Sequence, residues 1–112
     1  MEYVIPIKNK DYHKGMLMIL NFNLNLSPME LDIVATLLNN NIEIVDIGAR
    51  EIIRKTLNKD KFSTNNYISR LKNKNIFIVK PVDKRLYLNP TIIDIVRGKK
   101  VSFEFKINDN LN

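Results

Sequence analysis

The chain has 112 residues, 45% hydrophobic and 27% charged, which suffices for one hydrophobic core and is too short for two independent domains. It contains no cysteine, which excludes disulfide scaffolds, thiolate zinc sites and thiol nucleophiles. The formal net charge of +6 favours polyanionic partners, nucleic acid first and membrane surface second, although basic residues also serve solubility alone.

The first 26 residues are predicted to form β-strands. The sequence YVIPI at 3–7 is typical of a short edge strand, and the polar residues 9–15 predict a turn. The run MLMIL at 16–20 is too short to cross a bilayer and indicates a buried strand. From 20 to 26, leucine or phenylalanine alternates with asparagine, and this period of two predicts a half-buried strand. The chain starts without the pattern of a secretory leader, so a cytoplasmic location is expected.

The clearest predicted helix covers residues 27–38. Ser27 is a good N-cap, Pro28 suits the first helical position, and Glu30 completes a capping box with Ser27. An apolar stripe at helical spacing follows and predicts a buried face. The sequence IEIVDI at 42–47 then predicts a short strand.

Two further helices and a hairpin are predicted next. Residues 48–58 read as a second helix, with Ile52, Ile53 and Leu57 facing inward. A turn at 59–62 leads to a third helix, which Ser63 is expected to cap and which ends near residue 75. The sequences IFIVK and RLYLN flank PVD and predict a β-hairpin with a basic tip. A short helix at 90–98 and a strand at 101–107 complete the chain.

The third predicted helix carries side chains suited to DNA bases. We expect Thr64, Ile68 and Leu71 to be buried, which leaves polar and basic side chains outside. Asparagine can pair bidentately with adenine, and arginine with guanine. The alternative interpretation is that these side chains form an ordinary solvated face of a helix that packs on the core. The side chains predicted to read bases are Asn65, Asn66, Ser69 and Arg70.

Basic residues are concentrated between residues 50 and 85, where Lys and Arg number 11 against three acidic residues. A charge that serves only solubility would be spread more evenly along the chain. The side chains predicted to bind phosphate, one serine among them, are Arg50, Arg54, Lys55, Ser63, Lys72, Lys80, Lys84 and Arg85.

The order helix, short strand, helix, turn, helix, hairpin resembles the winged helix-turn-helix DNA-binding domain. The resemblance covers residues 27–88 and extends toward 98. It rests on LSPMELDIVATLL and IGAREIIRKTL as the first two helices, FSTNNYISRLKNKNIFIV as the recognition helix and first wing strand, and KPVDKRLYLNP as the wing. YLNP, followed by an apolar stretch and RG, is also similar to the winged domain of plasmid replication proteins of low-GC bacteria. The family implies a recognition helix in the major groove.

The predicted fold is therefore α+β, a winged helix-turn-helix with additional β-strands at both termini. We expect one domain over 1–112, with the winged-helix core at about 27–98 and flanking strands at 3–26 and 101–107. The flanking strands would either extend the core or pair with a second copy to form a homodimer. No motif for catalysis, metal or cofactor binding is recognisable, so we expect no enzymatic activity, metal or cofactor.

The leading hypothesis is sequence-specific binding of double-stranded DNA without a membrane partner. The chain would be a small transcriptional regulator or replication accessory protein of a phage, plasmid or low-GC bacterium. The alternative is a winged-helix structural or protein-interaction module, such as a phage virion component or a binder of a host protein. Binding of single-stranded nucleic acid is a third option, but aromatic residues for stacking make up only 8%.

Overall fold

The computed structural model describes residues 12–98, which form an α+β fold as predicted. The strands predicted at 3–7 and 101–107 lie outside the described residues. The helices are α1 (Tyr12–Leu24), α2 (Pro28–Asn39), α3 (Ile47–Leu57), α4 (Lys61–Asn73) and α5 (Pro90–Arg97), and the strands are β1 (Phe77–Val79) and β2 (Leu86–Leu88).

The prediction of a turn at 9–15 and strands at 16–26 is wrong over residues 12–24, which form the helix α1, and residues 25 and 26 are not in a strand either. Apolar side chains recur at 12, 16, 20 and 24, and an interval of four residues is one face of a helix. Leu17, beside that row, is fully buried. Residues 20–24 therefore do not form a strand that could pair with 101–107 or with a second copy.

Asparagine residues follow the ends of the first four helices in the left-handed conformation, with φ between 53° and 60°. Asparagine is one of the few residues other than glycine that adopts this conformation at low cost. Asn21 also accepts the Leu26 amide at 2.7 Å and donates to the Leu26 carbonyl at 3.0 Å. The four helix-ending residues are Asn25, Asn41, Asn58 and Asn75.

Helix α2 begins with the predicted capping box. Ser27 Oγ accepts the amide of Glu30, and Glu30 Oε1 accepts the amide of Ser27 at 2.9 Å. Glu30 is only 2% exposed, and the same Oε1 accepts a hydrogen bond from Lys74 Nζ at 2.8 Å. Burial raises the pKa of Glu30, but the hydrogen bonds from Lys74 and Ser27 outweigh it and hold the pKa below its ordinary value. Since Lys74 follows α4, this ion pair fixes the end of α4 against the start of α2.

Helix α4 begins three residues earlier than predicted, because Asp60 rather than Ser63 is its N-cap. Asp60 Oδ1 accepts the amide of Ser63 at 2.7 Å, which places Ser63 inside the first turn. The connection from α3 is short, and Asn58 supplies the left-handed conformation that glycine often provides in such turns.

We expect Asp60→Ala to lower the thermal unfolding midpoint more than Ser63→Ala, because Ser63→Ala keeps the backbone amide that Asp60 accepts. The amide and hydroxyl of Ser63 lower the pKa of Asp60, so the cap stabilises the fold above the unfolded aspartate pKa of about 3.9. That stabilisation is lost as the pH falls through the lower folded pKa. Calorimetry of both variants at neutral and acidic pH checks this, and an equal loss for Ser63→Ala would contradict it.

The predicted hairpin is confirmed. Strand β1 pairs antiparallel with β2, with Phe77 opposite Leu88 and Val79 opposite Leu86. Phe77 and Leu88 are both 1% exposed, so this pair joins the hydrophobic core. The Asn89 side chain donates to the Asn75 carbonyl at 3.0 Å, which links the residue after β2 to the turn before β1.

The strand predicted at 42–47 shortens to a single antiparallel bridge between Ile44 and Tyr87. Two backbone hydrogen bonds of 2.8 Å, from Val45 to Leu86 and from Leu88 to Glu43, hold this segment beside β2. Its length is limited because Asp46 turns the chain into α3, where Asp46 Oδ1 accepts the amide of Ala49 at 2.8 Å.

The core lies between α1, α2, the inner faces of α3 and α4, and the hairpin. Thr64, Ile68 and Leu71 are buried as predicted. On α3 Ile53 is buried and Leu57 half-buried, whereas Ile52 is exposed, contrary to prediction. Helix α5 closes the fold, and Tyr12 Oη donates to the carbonyl of Val96 at 2.6 Å.

Candidate functional site

A groove of about 550 Å³ lies between α4 and the β-hairpin. We call it the basic groove, because four basic side chains from three separate elements line it. Its floor is apolar and includes Ile68 and Leu86. The basic side chains that define it are Arg50 from α3, Lys72 from α4, and Lys84 and Arg85 from the hairpin.

The charge of the basic groove is not neutralised within the described part of the chain. None of its four basic side chains forms an ion pair with a residue between 12 and 98. One acidic residue, Asp46, lines the groove, but its carboxylate caps the N-terminus of α3. The groove therefore presents a net positive surface, which attracts anions.

Other basic residues of the 50–85 segment do not contribute to the groove. Arg54 pairs with Glu51 at 3.1 Å, and Lys74 pairs with the buried Glu30 at 2.8 Å. Lys55 is exposed on α3 but does not line the groove. Of the predicted phosphate ligands on α3, the geometry brings only Arg50 to the basic groove.

The predicted base-reading side chains of α4 divide into three settings. Asn66 and Ser69 are exposed, and Ser69 also lines the basic groove. Asn65 is half-buried, and its Oδ1 accepts a hydrogen bond from Arg50 Nη1 at 3.3 Å. Arg70 lies over the ring of Tyr67, with its Cζ 5.4 Å from the ring centroid, and does not line the groove.

The hairpin tip is held by several local interactions. The amide of Lys84 donates to the Lys80 carbonyl at 2.8 Å, and Lys84 itself has a φ of 58°. Tyr87 Oη donates to the carboxylate of Asp83, which lowers the pKa of Asp83 and raises that of Tyr87. The Lys80 Nζ lies 4.1 Å from the Tyr87 ring centroid, outside the groove. These contacts order the turn that carries Lys84 and Arg85.

The reason for predicting Ser63 as a phosphate ligand does not hold. That role assumed Ser63 at the N-cap of α4, where backbone amides face an incoming anion. Asp60 occupies this position instead, and its carboxylate already accepts the Ser63 amide at 2.7 Å. A negative charge at the helix start also disfavours a second anion there.

Sequence reasoning missed Phe62, which was placed in a turn. It is the second residue of α4 and is 75% exposed. Asn66 and Ser69 follow it by four and seven residues, so the three side chains lie on one face of the helix. We call Phe62, Asn66 and Ser69 the outward face of α4. The Asp60 cap was the available signal, because it places the start of the helix before Phe62.

Within residues 12–98, no three His, Asp or Glu side chains come close enough to hold a metal ion. In the same range no helix combines the length and apolar character required to cross a membrane. Comparisons of the chain with protein-family models, with curated proteins and with solved structures gave no match. The basic groove and the outward face of α4 are therefore the surfaces from which a function can be inferred.

Proposed function

We propose that the protein binds double-stranded DNA through the basic groove and the outward face of α4. The observation that carries the proposal is the convergence of four basic side chains without an ion pair among the described residues. Lys and Arg supply most of the affinity for DNA through phosphate contacts, and polar side chains on a helix supply base contacts. The protein would act in the cytoplasm as a small, non-enzymatic transcriptional regulator or replication accessory of a phage, plasmid or low-GC bacterium.

In this proposal α2, α3, α4 and the β-hairpin form a winged helix-turn-helix, with α4 as the recognition helix and the hairpin as the wing. Two features support it: the order of the elements and the bridge that places residue 44 beside β2. A helix is about 10–12 Å wide, and the major groove about 12 Å. With α4 inserted, Lys72 would reach phosphates on one side, and Lys84 and Arg85 those beside the hairpin.

The test is binding of the full chain to random-sequence duplex DNA over a salt series, followed by selection of bound sequences. Four phosphate contacts predict that log K falls with log salt with a slope of about −3.6. We also expect an enriched motif, and a palindromic one would support the homodimer. Absence of binding at low salt, or binding that does not change with salt, would contradict the proposal.

A second candidate function is protein binding, favoured by a mainly apolar cleft of about 460 Å³ beside α3. Ile42, Ile44 and Ile52 line it, and no basic residue does. Under this alternative, the chain retains a protein partner in high salt and binds duplex DNA poorly. Ile52→Asp would then abolish retention of that partner, whereas Lys84→Ala would not.

A further inference from the structure

We infer that the outward face of α4 selects A·T base pairs, with Phe62 contacting a thymine methyl group and Asn66 pairing with an adenine. The inference rests on the proposed DNA binding and deepens it by naming the base pairs that the helix reads.

Phe62 has the position and exposure that a base contact requires. It lies in the first turn of α4 and is 75% exposed. Recognition helices present mainly their N-terminal residues to base edges, so Phe62 would enter the major groove first. Phenylalanine is among the apolar side chains that contact the thymine methyl group there. This contact would cover an apolar ring that water otherwise surrounds.

Asn66 retains both of the hydrogen-bonding groups that adenine requires. It is exposed, and its side-chain amide forms no hydrogen bond with the described residues, whereas that of Asn65 does. Its oxygen can accept from the adenine amino group while its nitrogen donates to the adjacent ring nitrogen. Asn65 differs, because Arg50 already donates to its oxygen at 3.3 Å. Asn66 is therefore the asparagine suited to bidentate pairing.

The outward face lacks a guanine reader. Guanine is read by a bidentate arginine or lysine, and Phe62, Asn66 and Ser69 include neither. Arg70, the nearest arginine along the helix, lies over Tyr67 at 5.4 Å from the ring centroid. Phe62 and Asn66 are four residues apart, which is a rise of about 6 Å along the helix, and base pairs are spaced about 3.4 Å. The two side chains would therefore reach base pairs one or two steps apart. The expected target contains at least two A·T pairs within two steps of each other.

The test uses the full chain and the duplex selected above, synthesised with thymine or with uracil, which lacks the methyl group. We expect uracil at the contacted position to weaken wild-type binding about fourfold, equivalent to about 0.8 kcal/mol for one buried methyl group. Phe62→Ala should bind both duplexes equally. Replacing the A·T pair that Asn66 contacts by G·C should weaken wild-type binding about tenfold or more. The same replacement should weaken the binding of the Asn66→Ala variant much less.

Ile95→Ala is the matched control, because Ile95 is an apolar side chain of α5 with 42% exposure. It should keep the wild-type preference for thymine over uracil. Equal wild-type affinity for both duplexes, or an enriched motif without two A·T pairs within two steps of each other, would overturn the inference while salt-dependent DNA binding stands. No binding to any duplex would overturn the inference and the proposed function together.

Discussion

The double variant Lys84→Ala/Arg85→Ala is expected to bind duplex DNA roughly a hundredfold more weakly than the wild type at 50 mM salt, and with a salt slope flatter by about 1.8. Both side chains line the basic groove, and neither forms an ion pair among the described residues. Their loss should weaken binding to all sequences alike, because phosphate contacts carry no sequence information. Fluorescence anisotropy over a salt series measures both quantities.

The matched control is Lys14→Ala/Arg97→Ala, which removes the same charge elsewhere. Lys14 pairs with Asp32 at 2.7 Å, and Arg97 pairs with Glu43 at 3.4 Å. We expect this variant to keep nearly the full salt slope. If the two double variants lost affinity equally, net charge rather than the basic groove would explain the binding.

Replacing Lys74 by methionine is expected to lower the free energy of unfolding by about 2–3 kcal/mol. The change leaves the Glu30 carboxylate, which is 2% exposed, without its cation. Lys72→Met is the control on the same helix end, because Lys72 is exposed and unpaired among the described residues. It should change stability by less than about 0.5 kcal/mol yet weaken DNA binding. Urea unfolding of both variants provides the comparison.

The loss caused by Lys74→Met should depend on pH. Because the pKa of Glu30 is lowered in the fold, its stabilisation is complete above the unfolded glutamate pKa of about 4.3. It is lost as the pH falls through the folded pKa, when the carboxyl becomes neutral and no longer needs Lys74. The difference between wild type and variant should therefore narrow at acidic pH. A constant difference would show that the ion pair is not its cause.

Local signals were sufficient to predict α2 and the hairpin. Ser27, Pro28 and Glu30 mark the start of α2 within four residues, and the capping box forms as expected. Helix α1 was missed because two periods overlap in its sequence. Leucine or phenylalanine alternates with asparagine from 20 onward, as in a strand, while apolar residues also recur every four positions from 12 to 24, as in a helix. Tertiary packing decided between them, as the hydrogen bond from Tyr12 to Val96, 84 residues apart, illustrates.

The sequence predicted the segment that contains the candidate site, but not which of its basic residues line the basic groove. Lys72 and Lys74 are two residues apart and look equivalent in the sequence. Lys72 lines the basic groove, whereas Lys74 pairs with Glu30, 44 residues earlier. Arg50 and Arg54 divide in the same way, since Glu51 pairs only with Arg54. A count of charges along the chain shows neither which of two neighbouring cations is paired nor a long-range pair such as Lys74 with Glu30.

The most direct test of the basic groove as a DNA-binding surface is a titration of the isotope-labelled full chain with a selected duplex, followed by amide chemical shifts. We predict the largest changes at Asn66, Ser69 and Lys72 on α4 and at Lys84 and Arg85 on the hairpin, with little change on α1 and α5. Changes concentrated on α1, on α5 or around Ile52 would contradict the assignment of the groove.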